Sequence, residues 1–285
     1  MESVTKVVQG NVIELTILPL EEVTPHEETI PQIVELLSRD MARTGFQRDP
    51  VLVDRGTRFA LDGMHRLAAL KKIGAKYCVC ALYDYRNSSV KLERWLRYFI
   101  APDEPLVAAI VSDFDLEGNA EDYLQTMKRV DSGASDIALL SLKRSFARRG
   151  SLPTIEVYDT VKLADREAER SGVTIDFAAE SQKLSLFTSE SVFVLYPKPL
   201  RKTDVIEVVN RRALLPHKTT RHIVPIRPMG IYFKLSNLSS PSLADCSKEL
   251  QRIVGLSTVN TQEREVWYEG RRYAEPIAIF RAPVG

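Results

Sequence analysis

The stretch from Arg58 to Leu70 narrows what this chain can fold into more than any other. It reads as a short apolar strand ending at Leu61, an Asp62–Gly63 turn, and a helix opening on Met64, His65 and Arg66. Leu67, Leu70 and Ile73 continue the helix at three-residue spacing, and Gly74 stands where a C-terminal stop belongs. The first turn of such a helix offers backbone N–H groups and the positive end of its dipole, and here a histidine and an arginine as well. Together these are the parts of an anion site, phosphate being the usual anion. Asp62, placed just before the turn, suits a magnesium ion accompanying a phosphate chain. The alternative is an aspartate capping an ordinary helix with two surface charges.

The rest of the composition sets limits. The 285 residues carry balanced charge, net +1, and 44% apolar content, which predicts one large or two modest globular domains. That balance argues against nucleic acid as the main partner. No apolar run approaches the ~18 residues of a membrane span, and Met1-Glu-Ser-Val-Thr lacks the features of a signal peptide, so a cytoplasmic location is the default expectation. The three cysteines do not form a disulfide framework, and the alternation of Cys78 and Cys80 along a strand predicts core positions.

The first hundred residues alternate strand and helix signals. Val12–Leu18 reads as a strand. Thr29 and Gln32 resemble a capping box, with Pro31 in the first turn of a helix that presents Ile30, Ile33, Val34, Leu37 and Met41 and stops at Gly45. Val51–Val53, Phe59–Leu61 and Tyr77–Leu82 supply further strands of a mixed sheet, an α/β (α+β) unit. Ahead of the first helix lies His26-Glu27-Glu28. Carboxylates there favour the helix dipole and need do nothing more. A loop glutamate facing the phosphate site could also serve as a general base toward a substrate hydroxyl.

Pro25-His26-Glu27, Leu61-Asp62-Gly63-Met64-His65-Arg66 and Gly74-Ala75-Lys76 resemble the ParB/sulfiredoxin-like superfamily, and within it the free L-serine kinases. The family motif is Asp-Gly-His-His-Arg, so Met64 replaces its first histidine. A second block, Leu215-Pro216-His217-Lys218-Thr219-Thr220-Arg221-His222, resembles the Pro-Lys-Thr-Thr-Arg-His segment of the same kinases. Lys218 and Arg221 supply cations, Thr219 and Thr220 hydroxyls, and His222 a ring donor, a set that fits an amino-acid carboxylate. Read without the resemblance, the block is a basic surface loop. Sulfiredoxin chemistry would need a cysteine at the position of Met64, where a thioether cannot form a thiolate. Helix-turn-helix DNA binding is not expected, because strand and helix signals alternate after residue 100.

The expected architecture is therefore a ParB/sulfiredoxin-like nucleotide-binding domain over residues 1–105 and a second α/β lobe over 106–235, with the active-site cleft between them. Residues 236–285 form an extension of unassigned role. Pro102-Asp-Glu-Pro105 is the expected boundary, and residues 183–196 suggest a hairpin. The resemblance implies a kinase making O-phospho-L-serine from free L-serine, with ATP or ADP as donor and magnesium. It assigns Glu27 as catalytic base, and Asp62, Gly63, Met64, His65 and Arg66 to the nucleotide, with Asp62 also toward the metal. Trp95, Lys218, Thr219, Thr220, Arg221 and His222 go to the substrate, in a monomer or homodimer with no nucleic-acid or membrane partner. Two other readings stay open: a kinase for threonine or homoserine, and a non-catalytic sensor of nucleotide or ligand, which the Met64 replacement favours.

Overall fold

The computed structural model describes residues 2–119, 122–263 and 265–282, arranged as two compact units. One comprises Met1–Lys91 with His222–Gly285, and the other Leu92–Arg221. The fold is mixed α/β, as the alternating signals predict.

The first unit is built on a five-stranded sheet in the order Ser3–Val8, Asn11–Pro19, Tyr77–Tyr83, Val51–Asp54, Ala60–Asp62. Val51–Asp54 runs parallel to Tyr77–Tyr83, and the other pairings are antiparallel. Every residue of Val51–Asp54 is buried, as expected for a strand covered on both faces. Cys78 and Cys80 lie in the core with their Sγ atoms 3.4 Å apart. Helix Pro31–Thr44 has Pro31 in its first turn and ends at Gly45, whose φ of 77° is the left-handed conformation glycine adopts without strain. The Thr29–Gln32 capping box does not form. The N-cap is Ile30, and its amide donates instead to His65 Nε2 at 3.0 Å, so a second helix caps the first.

Residues 236–285 are an integral part of this unit. Helix Leu243–Leu256 starts on Ser242, whose hydroxyl accepts from the Asp245 amide. Ile277–Arg281 lies at the centre of a three-stranded sheet, parallel to Arg227–Met229 and antiparallel to Thr258–Gln262.

The second unit holds a seven-stranded sheet, in which Lys91–Ile100 pairs with both Ile175–Ala179 and Val192–Pro197. Its core joins Phe99, Ile110, Leu139, Val157, Tyr158 and Leu195. Pro102–Pro105 lies inside this unit, where Asp103 caps helix Glu104–Asp113 by accepting from the Leu106 amide at 3.0 Å. The chain passes between units at Lys91–Leu92 and again at Arg221–His222. Residues 183–196 do not form a hairpin. A 3-10 helix, Glu180–Leu186, precedes strand Val192–Pro197, which finds its partners in Lys91–Ile100 and Ser135–Leu140.

Gly230 joins the C-terminal strand to the rest of the first unit. Its φ is 70°, and a Cβ placed there would sit 2.9 Å from the Phe280 carbonyl oxygen. Its amide donates to Asp49 Oδ1. Gly230→Ala is expected to lower stability by about 2 kcal/mol, combining a left-handed backbone with a close contact to main chain. Urea unfolding of the two proteins measures the difference, and a loss below about 0.5 kcal/mol would contradict the account.

Candidate active site

The Asp62 turn forms as its sequence implies. Strand Ala60–Asp62 feeds Gly63, which has a φ of 100° and serves as N-cap of helix Met64–Lys72. A Cβ on Gly63 would lie 3.2 Å from Arg66 Nη1 and 3.5 Å from the Val51 Cα, so the position demands glycine both for its backbone and for room. The first-turn amides of a helix have no carbonyl four residues back within it. Met64 packs its side chain into the core and brings its backbone to the turn. Arg66 folds back over Gly63 and donates to the Pro50 carbonyl at 2.7 Å.

Asp62 is the electrostatic centre. Its Oδ2 accepts from Arg227, and from Arg271 Nη2 at 3.3 Å. Burial works against its charge, but Arg271, Arg227 and Arg66 outweigh burial and hold the carboxyl far below the ordinary carboxylate range. Arg227 is itself fixed by Glu275, whose carboxylate accepts from its Nε at 2.6 Å. Three guanidinium groups stand around one turn, answered by Asp62, Glu275 and Asp49, and the helix N-terminus beside them favours an anion.

Among the described residues no group of three or more histidine, cysteine, aspartate or glutamate side chains could hold a metal ion. Magnesium typically takes one or two carboxylates and completes its shell with phosphate oxygens and water. Asp62 fits that pattern for an ion arriving on a phosphate chain, and the arginines around it disfavour a bare cation.

His26 and Glu27 are both buried. His26 Nδ1 donates to the Ala60 carbonyl at 2.7 Å, and His222 Nδ1 to the neighbouring Leu61 carbonyl at 2.9 Å. Those partners assign the tautomers and leave each Nε2 as an acceptor. Nε2 of His222 faces the Tyr85 hydroxyl at 3.1 Å, and Nε2 of His26 lies 3.9 Å from Glu27 Oε1. Burial lowers the His26 pKa to about 4 and pushes His222 well below its usual value, where the nearby His26 adds to the effect. The imidazoles pack edge to face with centroids 5.3 Å apart. His26 is thus neutral beside Glu27. The ring nitrogens of His222 are engaged with Leu61 and Tyr85, so this histidine braces the strand leading to Asp62.

In the second unit Trp95 and the Lys218–Arg221 segment come together. Lys218 Nζ stands 4.3 Å and Arg221 Cζ 5.2 Å from the centroid of the Trp95 ring, within cation–π range. The Trp95 amide donates to the Thr219 carbonyl at 3.1 Å. Arg97, buried and paired bidentately with Asp165, donates to the His217 carbonyl at 2.8 Å and so fixes the approach to Lys218, whose φ is 55°. Thr219 and Thr220 are buried. Arg221 Nη1 meets Glu93 Oε2 at 3.4 Å.

Sequence reasoning missed Arg227, Arg271, Glu275 and Tyr85. Arg227 follows the second block by five residues but carries no local signal, and Arg271 and Glu275 lie in the segment without an assigned role.

The two neutral histidines make stability depend on pH. The unfolded chain takes up a proton at His26 near pH 6.5, whereas the folded chain does so only near 4. Their contribution is therefore complete above pH 6.5 and is lost as pH falls. By linkage the loss from His26 alone reaches about 2 kcal/mol at pH 5. Urea unfolding at pH 7.5 and 5 measures it, with a shallower dependence expected for His26→Gln. Equal slopes for the two proteins would contradict the assignment.

No family model matches the chain. It is 25% identical over 233 residues to the ADP-dependent L-serine kinase SerK of Thermococcus kodakarensis, an alignment covering 79% of this chain and 93% of that protein. It is 23% identical over 222 residues to the ATP-dependent L-serine kinase of Staphylothermus marinus, covering 76% and 88%. A solved free serine kinase variant in complex with ADP superposes with a TM-score of 0.66 at 25% identity, covering 84% of this chain and 97% of that one. With similarity spanning 88% and 93% of these two curated relatives, the chain is a distant relative of the free L-serine kinases.

Proposed function

We propose that this protein transfers the terminal phosphoryl group of a nucleotide to the hydroxyl of free L-serine, giving O-phospho-L-serine. The observation that carries the reading is the Asp62–Arg66 turn, a glycine-opened helix N-terminus ringed by Arg66, Arg227 and Arg271. The names of the relatives, two L-serine kinases that differ in nucleotide, support it.

Each group then has a task. The amides of the first turn, with His65 and Arg66 beside them, receive the phosphate chain. Asp62 would hold the magnesium that accompanies the chain, an ion that neutralises charge as the phosphoryl group departs. Lys218 and Arg221 meet the serine carboxylate, while the Trp95 face and the Thr219 and Thr220 hydroxyls orient the amino acid. Glu27 accepts the hydroxyl proton of serine. The serine oxygen bonds to the terminal phosphorus, the bond from phosphorus to the bridging oxygen breaks, and the nucleotide leaves one phosphate shorter. Buried beside a neutral imidazole, Glu27 is screened from bulk water in the ground state. Positioning and electrostatics supply most of what phosphoryl transfer needs, and these groups suffice in kind.

A sensing role without turnover has one observation in its favour, the replacement by Met64 of a histidine in the motif it resembles. Because Met64 is turned into the core, its backbone amide remains at the turn.

Phosphorus NMR of the protein with magnesium and L-serine, once with ATP and once with ADP, tests the proposal. A phosphomonoester signal is expected, and AMP as co-product would name ADP as the donor. No new signal with serine, threonine or homoserine would leave the sensing reading. Glu27→Gln should reduce turnover by about 10²–10⁴-fold and leave nucleotide affinity within about twofold. A variant retaining most of its activity would remove Glu27 from the role of base. Lys218→Met should raise KM for serine by about tenfold or more with nucleotide affinity unchanged, and an unaltered KM would take Lys218 out of the substrate site.

A further inference from the structure

The segment after residue 235 delivers a cation to the Asp62 turn. Strands Val266–Tyr268 and Arg271–Tyr273 form an antiparallel hairpin through Glu269 and Gly270, whose φ values of 47° and 75° suit a tight two-residue turn. Paired residues in such a ladder share a face. Val266 pairs with Tyr273, and Tyr268 with Arg271. Val266, Tyr268 and Tyr273 pack with Met229, Ile277 and Ile279, so Arg271 lies on the inward face, and Trp267 on the other is 71% exposed. At the turn Glu269 pairs with Arg48 at 2.7 Å, which holds the hairpin tip. The Arg271 guanidinium lies 5.2 Å from the Tyr273 ring centroid and reaches Asp62 Oδ2 at 3.3 Å, across 209 positions of sequence.

The two arginines on Asp62 differ in how they are held. Arg227 is 7% exposed, with Nε on Glu275, Nη1 on Asp62 and Nη2 toward the His222 carbonyl. Its donors are directed at protein on every side, which makes it a positioning residue for Asp62. Arg271 is 47% exposed and meets one carboxylate oxygen at the long end of hydrogen-bond distance. A guanidinium has five donors, so at this exposure Arg271 keeps donors open to solvent while it stands on Asp62, the residue before the Gly63 N-cap.

We propose that Arg271 is a phosphate-binding residue, specific for the phosphates beyond the first in a nucleoside di- or triphosphate. The proposal rests on the nucleotide reading of the Asp62 turn. One phosphate occupies the amide donors of a single helix N-terminus. A second or third needs cations beyond Arg66, whose Nη1 also donates to the Pro50 carbonyl and whose Nη2 lies 3.8 Å from Asp49. Arg271 has the exposure, the planar fork and the location to meet that added charge, exchanging its long contact to Asp62 for bidentate contact with phosphate oxygens. The C-terminal segment thereby makes affinity depend on the number of phosphates.

Isothermal titration of the full chain and of Arg271→Ala and Arg271→Lys, with AMP, ADP and ATP in the presence of magnesium, tests this. For Arg271→Ala we expect at least tenfold weaker binding of ADP and ATP, AMP within twofold of wild type, and partial recovery in Arg271→Lys. A merely structural role would weaken all three ligands alike, and that result, or no loss at all, would overturn the proposal. Wild-type protein that binds no nucleotide would overturn both this inference and the reading beneath it. Selective loss in a protein that makes no phosphoserine would uphold the role of Arg271 and remove only the kinase reading.

Discussion

Everything at the candidate site depends on a partly buried carboxylate that the guanidinium groups around it hold charged. Asp62 sits at the end of a core strand, immediately before a left-handed glycine, and guanidinium groups from distant parts of the sequence converge on it. Removing one partner of such a cluster leaves the others as uncompensated charge, so the members are mutually dependent. Glu275 fixes Arg227, Arg227 fixes Asp62, and Asp62 fixes the entry to the helix. The same arrangement explains why the turn suits an anion: a helix N-terminus stands beside three guanidinium groups, one of which, Arg271, is 47% exposed.

A second constraint is the pair of backbone carbonyls on Ala60 and Leu61. Consecutive residues of a strand point opposite ways, and each carbonyl takes one histidine, His26 on one and His222 on the other. His26 and His222, one from each of the blocks that stand out in the sequence, thus meet on one short strand. His222 ends the second block as a buried brace, while Lys218 and Arg221, a few residues earlier, are arranged about Trp95. Functional spacing in the sequence therefore concealed a division of labour between holding the strand and presenting cations.

What was legible in the sequence follows the range of the forces involved. The Gly63 turn, the Pro31 and Gly45 ends of the first helix and the burial of Cys78 and Cys80 are set by neighbours in the chain, and local pattern revealed them. The Thr29 capping box failed because Ile30 precedes Pro31 and is held extended, which moves the N-cap from Thr29 to Ile30, whose amide His65, 35 residues away, accepts. Pro102–Pro105 looked like a linker because proline and acidic residues mark helix starts as well as boundaries. The arginines on Asp62 were illegible for a plainer reason. A charged residue in a short strand carries no periodic signal, and its partner is named only by the tertiary fold.

The placement of Ile277–Arg281 has a consequence for how the protein is made. That strand is the middle member of its sheet, between Arg227–Met229 and Thr258–Gln262, so neither neighbour can complete its pairing before residues near 280 have been synthesised. Residues 92–221, by contrast, have their own core and all their strands in hand much earlier. During translation the inserted unit and the five-stranded sheet, whose strands all lie within residues 3–83, can therefore form before the three-stranded sheet is complete. A ribosome stalled shortly before residue 277 would hold a first unit with its main sheet in hand and the Arg227–Met229 strand still without its parallel partner.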